Sequence, residues 1–88
     1  MRFYSIIIPV YNRPEEIKEL LESLAKQTYT HFEVVVVEDG SKDSAEQIVK
    51  SFQDRLQIQY FYKENTGQGL SRNYAYERAA GDYFIVFD

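Results

Sequence analysis

Short apolar runs separated by polar segments recur along the chain and predict four β-strands. The runs are Phe3–Val10, Phe32–Val37, Ile58–Tyr62 and Tyr83–Phe87. The second run holds four consecutive valines, and a continuous apolar run of this kind is typical of a strand that is buried on both faces of a parallel sheet. The sequence therefore predicts a parallel sheet that helices cover on both faces.

The segment after the first run has the period of an amphipathic helix. Pro14 suits a first helical position, because proline lacks the N–H that has no partner there. Apolar residues then recur at i, i+3, i+4 and i+7, namely Ile17, Leu20, Leu21 and Leu24. The pattern predicts a helix with one apolar face that ends near Gln27.

Two further helices are predicted between the later runs. Asp43 or Ser44 can cap the second helix with a side-chain oxygen. Its predicted inward-facing residues are Ile48, Val49 and Phe52. The third helix is predicted over about Leu70–Ala80, and Gly81 ends it, as glycine does past a helix end.

Strands and helices alternate along the chain in the order β-α-β-α-β-α-β. A helix between successive strands implies right-handed crossovers and a mostly parallel sheet with helices on both faces. We therefore predict an α/β fold with a Rossmann-like three-layer α/β/α arrangement and the strand order 3-2-1-4. In such sheets ligands bind beyond the carboxyl ends of the strands, where the strand order reverses.

Polar and aromatic residues follow three of the predicted strands at that rim. Pro9 and Tyr11 lie at the end of the first strand, Glu38 and Asp39 follow the second, and Asp88 follows the fourth. Because side chains alternate along a strand, Glu38 and Asp39 cannot both face one ligand unless the strand has already ended. A carboxylate only accepts hydrogen bonds, so these acids suit a base N–H, a ribose hydroxyl or a metal ion.

Each of these features also has a purely structural interpretation. Asp39 followed by Gly40 is ordinary turn chemistry. Tyr11 could stack on a nucleobase, or it could be a core or surface aromatic in a chain with 8 Tyr and 6 Phe. The loop with Gly67 and Gly69 could bring Arg72 to an anion, or it could be a flexible loop with a surface arginine. The residue pattern alone leaves these alternatives open.

Composition and charge exclude some classes of function. The net charge of −4 argues against a nucleic-acid-binding protein, whose affinity would come from a basic surface. The chain has no cysteine, which excludes disulfides and cysteine metal sites. The N-terminus does not have the pattern of a signal peptide. A cytoplasmic location is expected, with membrane association of a longer parent protein left open.

Taken together, the motifs resemble the N-terminal half of a family 2 glycosyltransferase with the GT-A fold. SIIIPVYNRPEEIKELLESLAKQTYTHFEVVVVEDGSKD is similar to the opening of that family. NTGQGLSRN is similar to its asparagine–glycine–arginine–asparagine loop, and GDYFIVFD to the approach to its D-x-D motif. The resemblance covers essentially all 88 residues and keeps the order and spacing of the motifs.

The resemblance implies that residues 1–88 are the nucleotide-sugar-binding part of a truncated GT-A domain, with the C-terminal acceptor half absent. Pro9 and Tyr11 would flank the uracil or another base, with Tyr11 stacking on it. Asp39 would accept a hydrogen bond from the base. Glu38 stands where the family more commonly has aspartate, and it would contact the ribose.

The same resemblance implies a metal-dependent reaction. Arg72 would lie near the base or the diphosphate, and Asp88 would be the first acid of D-x-D, directed toward the ribose and a Mg²⁺ or Mn²⁺ ion. A sugar would pass from a nucleotide-diphosphate donor, expected to be a UDP-sugar, to an acceptor hydroxyl with inversion, in polysaccharide biosynthesis. The general base and the site for a glycan or lipid-linked acceptor would lie beyond residue 88, so the chain alone is expected to be inactive.

Three other interpretations of the function remain open. A sugar-phosphate nucleotidyltransferase would need a glycine-rich basic loop where this chain has YNRPEE. A receiver-like or flavodoxin-like binding module would need a lysine at the end of a late strand, and these 88 residues do not supply one. The parent protein could also have lost its activity.

If the domain is truncated, the sheet edge beside the fourth strand is uncovered, which predicts a homodimer or a larger assembly.

Overall fold

The computed structural model describes residues 3–28, 31–40, 42, 44–64 and 68–87. Four strands and three helices alternate along these residues, as predicted. The strands are β1 (Tyr4–Val10), β2 (Phe32–Asp39), β3 (Ile58–Lys63) and β4 (Tyr83–Val86). The helices are α1 (Pro14–Ala25), α2 (Glu46–Ser51) and α3 (Gln68–Arg78).

The strands form one parallel sheet with the order β3-β2-β1-β4. This confirms the predicted order 3-2-1-4. The strand order reverses between β1 and β4, so the carboxyl end of β1 flanks that point and the carboxyl end of β2 lies next to it. Val10 is paired with Glu38 in the register of β1 and β2, so the chain segments that follow these two strands start side by side.

Alternate residues of the central strands face two different cores. One face carries Ile6 and Val34 and packs against α1 and α2, whereas the other carries Ile7 and Val35 and packs against Ala75 of α3. All eight residues of β2 are buried, as expected for a strand covered on both sides. The predicted three-layer α/β/α arrangement is therefore confirmed.

Two strands are longer than the apolar pattern predicted. β2 extends past Val37 to Asp39, and β3 extends past Tyr62 to Lys63. The cause is pairing in the parallel ladder: Asp39 lies opposite Lys63, and the Gly40 N–H donates to the Lys63 carbonyl at 2.8 Å. Backbone hydrogen bonds, rather than hydrophobicity, set these strand ends.

The helix ends also differ from the predicted ones. α1 ends at Ala25 instead of near Gln27, and α3 begins at Gln68, before Leu70. Ala45 occupies the N-cap of α2 without a side-chain cap. The predicted candidate Ser44 lies one residue earlier, yet its hydroxyl accepts a hydrogen bond from the Glu46 N–H at 3.1 Å. Asp43, the other candidate, lies outside the described residues.

A buried polar cluster joins the start of the sheet to the end of α3. Glu33 is 1% exposed. It accepts hydrogen bonds from the Ser5 hydroxyl at 2.6 Å, the Gln59 amide at 3.1 Å and the Ala80 N–H at 2.7 Å. Gly81 donates its N–H to the Ser5 hydroxyl, and a Cβ at Gly81 would lie only 2.4 Å from that oxygen. The cluster therefore requires glycine at this close approach.

Apolar side chains of β4 are exposed at the edge of the described sheet. Tyr83, Phe84 and Ile85 are each 43–47% exposed, and together they line both faces of the strand. We expect the 88-residue chain to self-associate through this edge, because exposed strand edges pair with other chains. Light scattering over a concentration series should show a mass above the monomer, and Ile85→Lys should lower that mass. A monomeric mass at the highest concentration would contradict this expectation.

Candidate functional site

A hydrogen bond joins the segments that follow β1 and β2. The Asn12 side-chain oxygen accepts from the Lys42 N–H at 2.8 Å. Asn12 has a φ of 53°, a left-handed conformation that asparagine adopts more readily than most residues. Gly40, with a φ of 68°, makes the turn after β2. These two turns bring the ends of the central strands into one rim.

Tyr11 presents an aromatic ring on this rim. It is 48% exposed, which leaves ring surface available for stacking. Pro9, the other residue predicted to flank a base, is half-buried. Both line a groove of about 340 Å³ between β1, α1 and Phe87, a volume at the lower end of the range for small-molecule sites. Asp39 does not line this groove.

Glu38 and Asp39 point to opposite faces of the sheet. Both belong to β2, and successive side chains alternate on a strand. The condition set by the sequence is therefore decided: the strand includes both acids, so their side chains point to opposite faces of the sheet.

Asp39 lies on the face that α3 covers. Its carboxylate is 3.2 Å from the Lys63 ammonium, and the side chains are 7% and 14% exposed, respectively. Lys63 also donates to the Glu64 carbonyl at 3.2 Å. Because water is largely excluded from this ion pair, its attraction is screened less than that of a surface pair. The pair holds an acceptor group at the end of a central strand.

Glu38 is fully buried on the opposite face. Its carboxylate accepts from the Ala45 N–H at 3.0 Å and from the Ser44 hydroxyl at 3.0 Å. The Tyr60 hydroxyl donates to Oε1 of Glu38, the same carboxylate oxygen that accepts the other two hydrogen bonds. The ribose contact of Glu38 stays a prediction, and the observed partners are all internal to the chain.

Two of the six predicted site residues, Arg72 and Asp88, lie partly or wholly outside the described residues. The backbone of Arg72 belongs to α3, which also includes Gly69, so that Gly69 is helical rather than part of a loop. The Arg72 side chain and the whole of Asp88 lie outside the described residues, as does Gly67. Their predicted roles at the base, the diphosphate and the metal stay predictions.

The described part of the chain has neither a cluster of metal ligands nor a membrane-spanning helix. Among these residues, no three acidic or histidine side chains come together as a metal ion would require. None of the described helices is both long and apolar enough to cross a lipid bilayer. Asp88, the predicted metal ligand, is not among the described residues.

The sequence pattern did not reveal three residues that support the site. Lys63 pairs with Asp39, Tyr60 binds Glu38, and Asn12 holds the backbone at Lys42. Extending the predicted third strand by one residue would have included Lys63 in it. Its position opposite Asp39 and the contact of Tyr60 with Glu38 both depend on the register between β2 and β3, which the sequence pattern does not record.

Comparison with known proteins identifies the family. The sequence profile of glycosyl transferase family 2 matches residues 5–88, so this chain belongs to that family. The chain is 49% identical over 80 residues to an uncharacterised glycosyltransferase of Rickettsia typhi, a match that covers 91% of this chain and 24% of that protein. It is 41% identical over 92 residues to the poly(ribitol-phosphate) beta-N-acetylglucosaminyltransferase TarS of Staphylococcus aureus, a match that covers 100% of this chain and 16% of TarS.

Solved structures give the same result. TarS 1-349 in complex with UDP-GlcNAc superposes with a TM-score of 0.89 at 42% identity, covering 98% of this chain and 26% of that chain. The mannosyltransferase PcManGT of Pyrobaculum calidifontis, in complex with GDP-Man and Mn²⁺, superposes with a TM-score of 0.84 at 28% identity, covering 92% of this chain and 25% of that chain. The chain spans about a quarter or less of the length of these relatives.

These matches confirm the resemblance and the fold. The four parallel strands in the order 3-2-1-4 match the GT-A structure of TarS over part of its chain. Membership of the family also decides against the receiver-like, flavodoxin-like and nucleotidyltransferase interpretations.

Proposed function

We propose that this chain forms the donor-nucleotide site of a glycosyltransferase that uses a UDP-sugar. The reaction would transfer the sugar to an acceptor hydroxyl with inversion. One observation carries the proposal: an exposed aromatic ring, Tyr11, and a buried acceptor, Asp39, lie at the carboxyl ends of the two central strands, at the rim where parallel α/β sheets bind ligands. The likeness to TarS, which was solved with UDP-GlcNAc, supports uracil as the base.

Tyr11 and Asp39 would recognise different parts of the base. The ring of Tyr11 would stack on its face, an interaction that any base can make. The carboxylate of Asp39 would accept the imide N–H of uracil, since a carboxylate offers only acceptor atoms. Lys63 would keep that carboxylate oriented through the 3.2 Å ion pair. Base selectivity would therefore come from Asp39, and a share of the affinity from Tyr11.

The remaining parts of the reaction would depend on groups outside the described residues. Asp88 is the residue of this chain that we propose holds Mg²⁺ or Mn²⁺, and such an ion neutralises charge on a leaving diphosphate. The relative PcManGT was solved with Mn²⁺. The general base and the site for a glycan or lipid-linked acceptor would belong to the rest of a longer protein, active in polysaccharide biosynthesis in the cytoplasm. The 88-residue chain alone would then not transfer sugar.

An NMR titration of the isotopically labelled chain tests the donor site. UDP, GDP and AMP are added separately, each with and without Mg²⁺. We expect UDP to shift the amide signals of Tyr11, Asp39 and Arg72 at lower concentration than GDP, and AMP to have the weakest effect. AMP should be weakest because adenine has no ring N–H at the position where uracil and guanine can donate to the Asp39 carboxylate.

Two results would contradict the proposal. The first is an equal response to all three nucleotides, because a non-selective site would not need the Asp39 carboxylate. The second is the absence of shifts at millimolar UDP, both in this chain and in a chain extended beyond Asp88. Shifts that appear only in the extended chain would support the site and assign part of it to later residues.

A further inference from the structure

Glu38 lies beside the proposed base acceptor but faces away from it. It precedes Asp39 in β2, and its side chain is fully buried on the face that α2 covers. Burying a carboxylate is costly unless its oxygens accept hydrogen bonds. Glu38 meets this condition by accepting from the Ala45 N–H at 3.0 and 3.2 Å and from the Ser44 hydroxyl at 3.0 Å. Its bonds therefore fasten the start of α2 to the end of β2.

Tyr60 completes this arrangement from β3. Its hydroxyl donates to Glu38 and lies 3.3 Å from the Ser44 hydroxyl. Burial, and then the hydrogen bond to Glu38, raises the pKa of Tyr60 above its usual value. A tyrosine hydroxyl is already protonated at neutral pH, and the raised pKa of Tyr60 extends to higher pH the range in which it remains a donor. Glu46 also acts on Tyr60, and it favours the neutral form as well.

The segment between β2 and α2 is thus held at two points. At one point the Glu38 carboxylate binds Ser44 and Ala45. At the other the Asn12 side chain binds the Lys42 N–H at 2.8 Å. This segment begins directly after Asp39, the residue that carries the proposed acceptor.

We propose that Glu38 and Tyr60 are positioning residues of the nucleotide site. They fix the β2–α2 segment, and with it Asp39, before a nucleotide binds. Ordering in advance raises affinity because the ligand does not have to immobilise the segment. The inference rests on the proposed function, and it assigns Glu38 a role through Asp39 instead of a direct ribose contact.

Tyr60→Phe tests the proposal, because it removes the hydroxyl and keeps the ring that packs against the core. Tyr76→Phe is the matched control, since Tyr76 lies on α3 and its ring contacts Phe84. In the ligand-free chain we expect the Ala45 amide to exchange its hydrogen about tenfold faster in Tyr60→Phe, because Glu38 loses a hydrogen bond. The amide signals of Asp39 and Gly40 should shift as well. UDP should bind about fivefold more weakly by the same reasoning.

A double-mutant cycle with Glu38→Gln separates positioning from contact. If Tyr60 acts through its hydrogen bond to Glu38, the two substitutions share their effect, and the double variant binds UDP hardly more weakly than Glu38→Gln alone. If Glu38 contacts the ribose, Glu38→Gln weakens binding, Tyr60→Phe does not, and the proposal is overturned. The proposal is also overturned if Tyr60→Phe matches Tyr76→Phe in Ala45 exchange and in the Asp39 and Gly40 signals.

The two proposals can fail separately. If the unmodified chain does not bind UDP, with or without residues beyond Asp88, the proposed function fails. The Ala45 exchange rate and the Asp39 and Gly40 signals of the ligand-free variants then still decide whether Glu38 and Tyr60 position the end of β2. Faster exchange at Ala45 with unchanged Asp39 and Gly40 signals would limit the pair to capping α2 and would overturn the positioning role.

Discussion

Replacing Asp39 with asparagine is expected to weaken UDP binding by at least about tenfold, since hydrogen bonds to charged groups contribute roughly 1.5–3 kcal/mol. Asparagine has nearly the same shape but replaces one acceptor oxygen with a donor. It also removes the charge that pairs with Lys63 at 3.2 Å. The measurement is the dissociation constant of UDP by calorimetry or NMR titration. Selectivity for UDP over AMP should fall at the same time, because the base loses its acceptor.

Asp54→Asn is the matched control for this prediction. It makes the same chemical change at a side chain that is 82% exposed. Asp54 lies before β3, at the opposite end of the sheet from the proposed site. UDP binding should be unchanged in this variant. Unchanged UDP affinity and selectivity in Asp39→Asn would mean that Asp39 does not contact the base.

Replacing Glu33 with leucine is expected to lower the free energy of unfolding by about 3 kcal/mol or more, because each buried donor left unpaired costs roughly 1–3 kcal/mol. Ser5, Gln59 and the Ala80 N–H all donate to this carboxylate. A small domain is stabilised by only about 5–15 kcal/mol in total, so the loss should be evident in the midpoint of a urea titration.

Two further variants serve as comparisons for the loss of stability in Glu33→Leu. Glu33→Gln keeps an acceptor oxygen in the same place and should lose less stability than Glu33→Leu. Glu19→Leu, at an exposed position of α1, should change stability by less than about 0.5 kcal/mol, as surface substitutions usually do. A change below about 1 kcal/mol in Glu33→Leu would contradict the view that the cluster fastens the end of α3 to the sheet, since it would equal a single average hydrogen bond.

The position of each acid on the rim shows why sequence and structure contribute differently. Four valines followed by Glu38 and Asp39 indicated a buried strand that ends in carboxylates. They did not indicate whether the strand includes the acids, because hydrophobicity stops at Val37. Pairing with β3 extends β2 to Asp39, and the alternation of side chains then separates the two acids onto different faces.

The sequence by itself determined the order of strands and helices, the parallel three-layer fold, the rim where the site is proposed and the family. These properties follow from periodicity and from motifs within short stretches of chain. Only the tertiary structure decided which partners the acids have. Tyr60 is 22 residues from Glu38 and Lys63 is 24 residues from Asp39. Contacts between such distant residues depend on strand register, which backbone pairing sets and which no local pattern records.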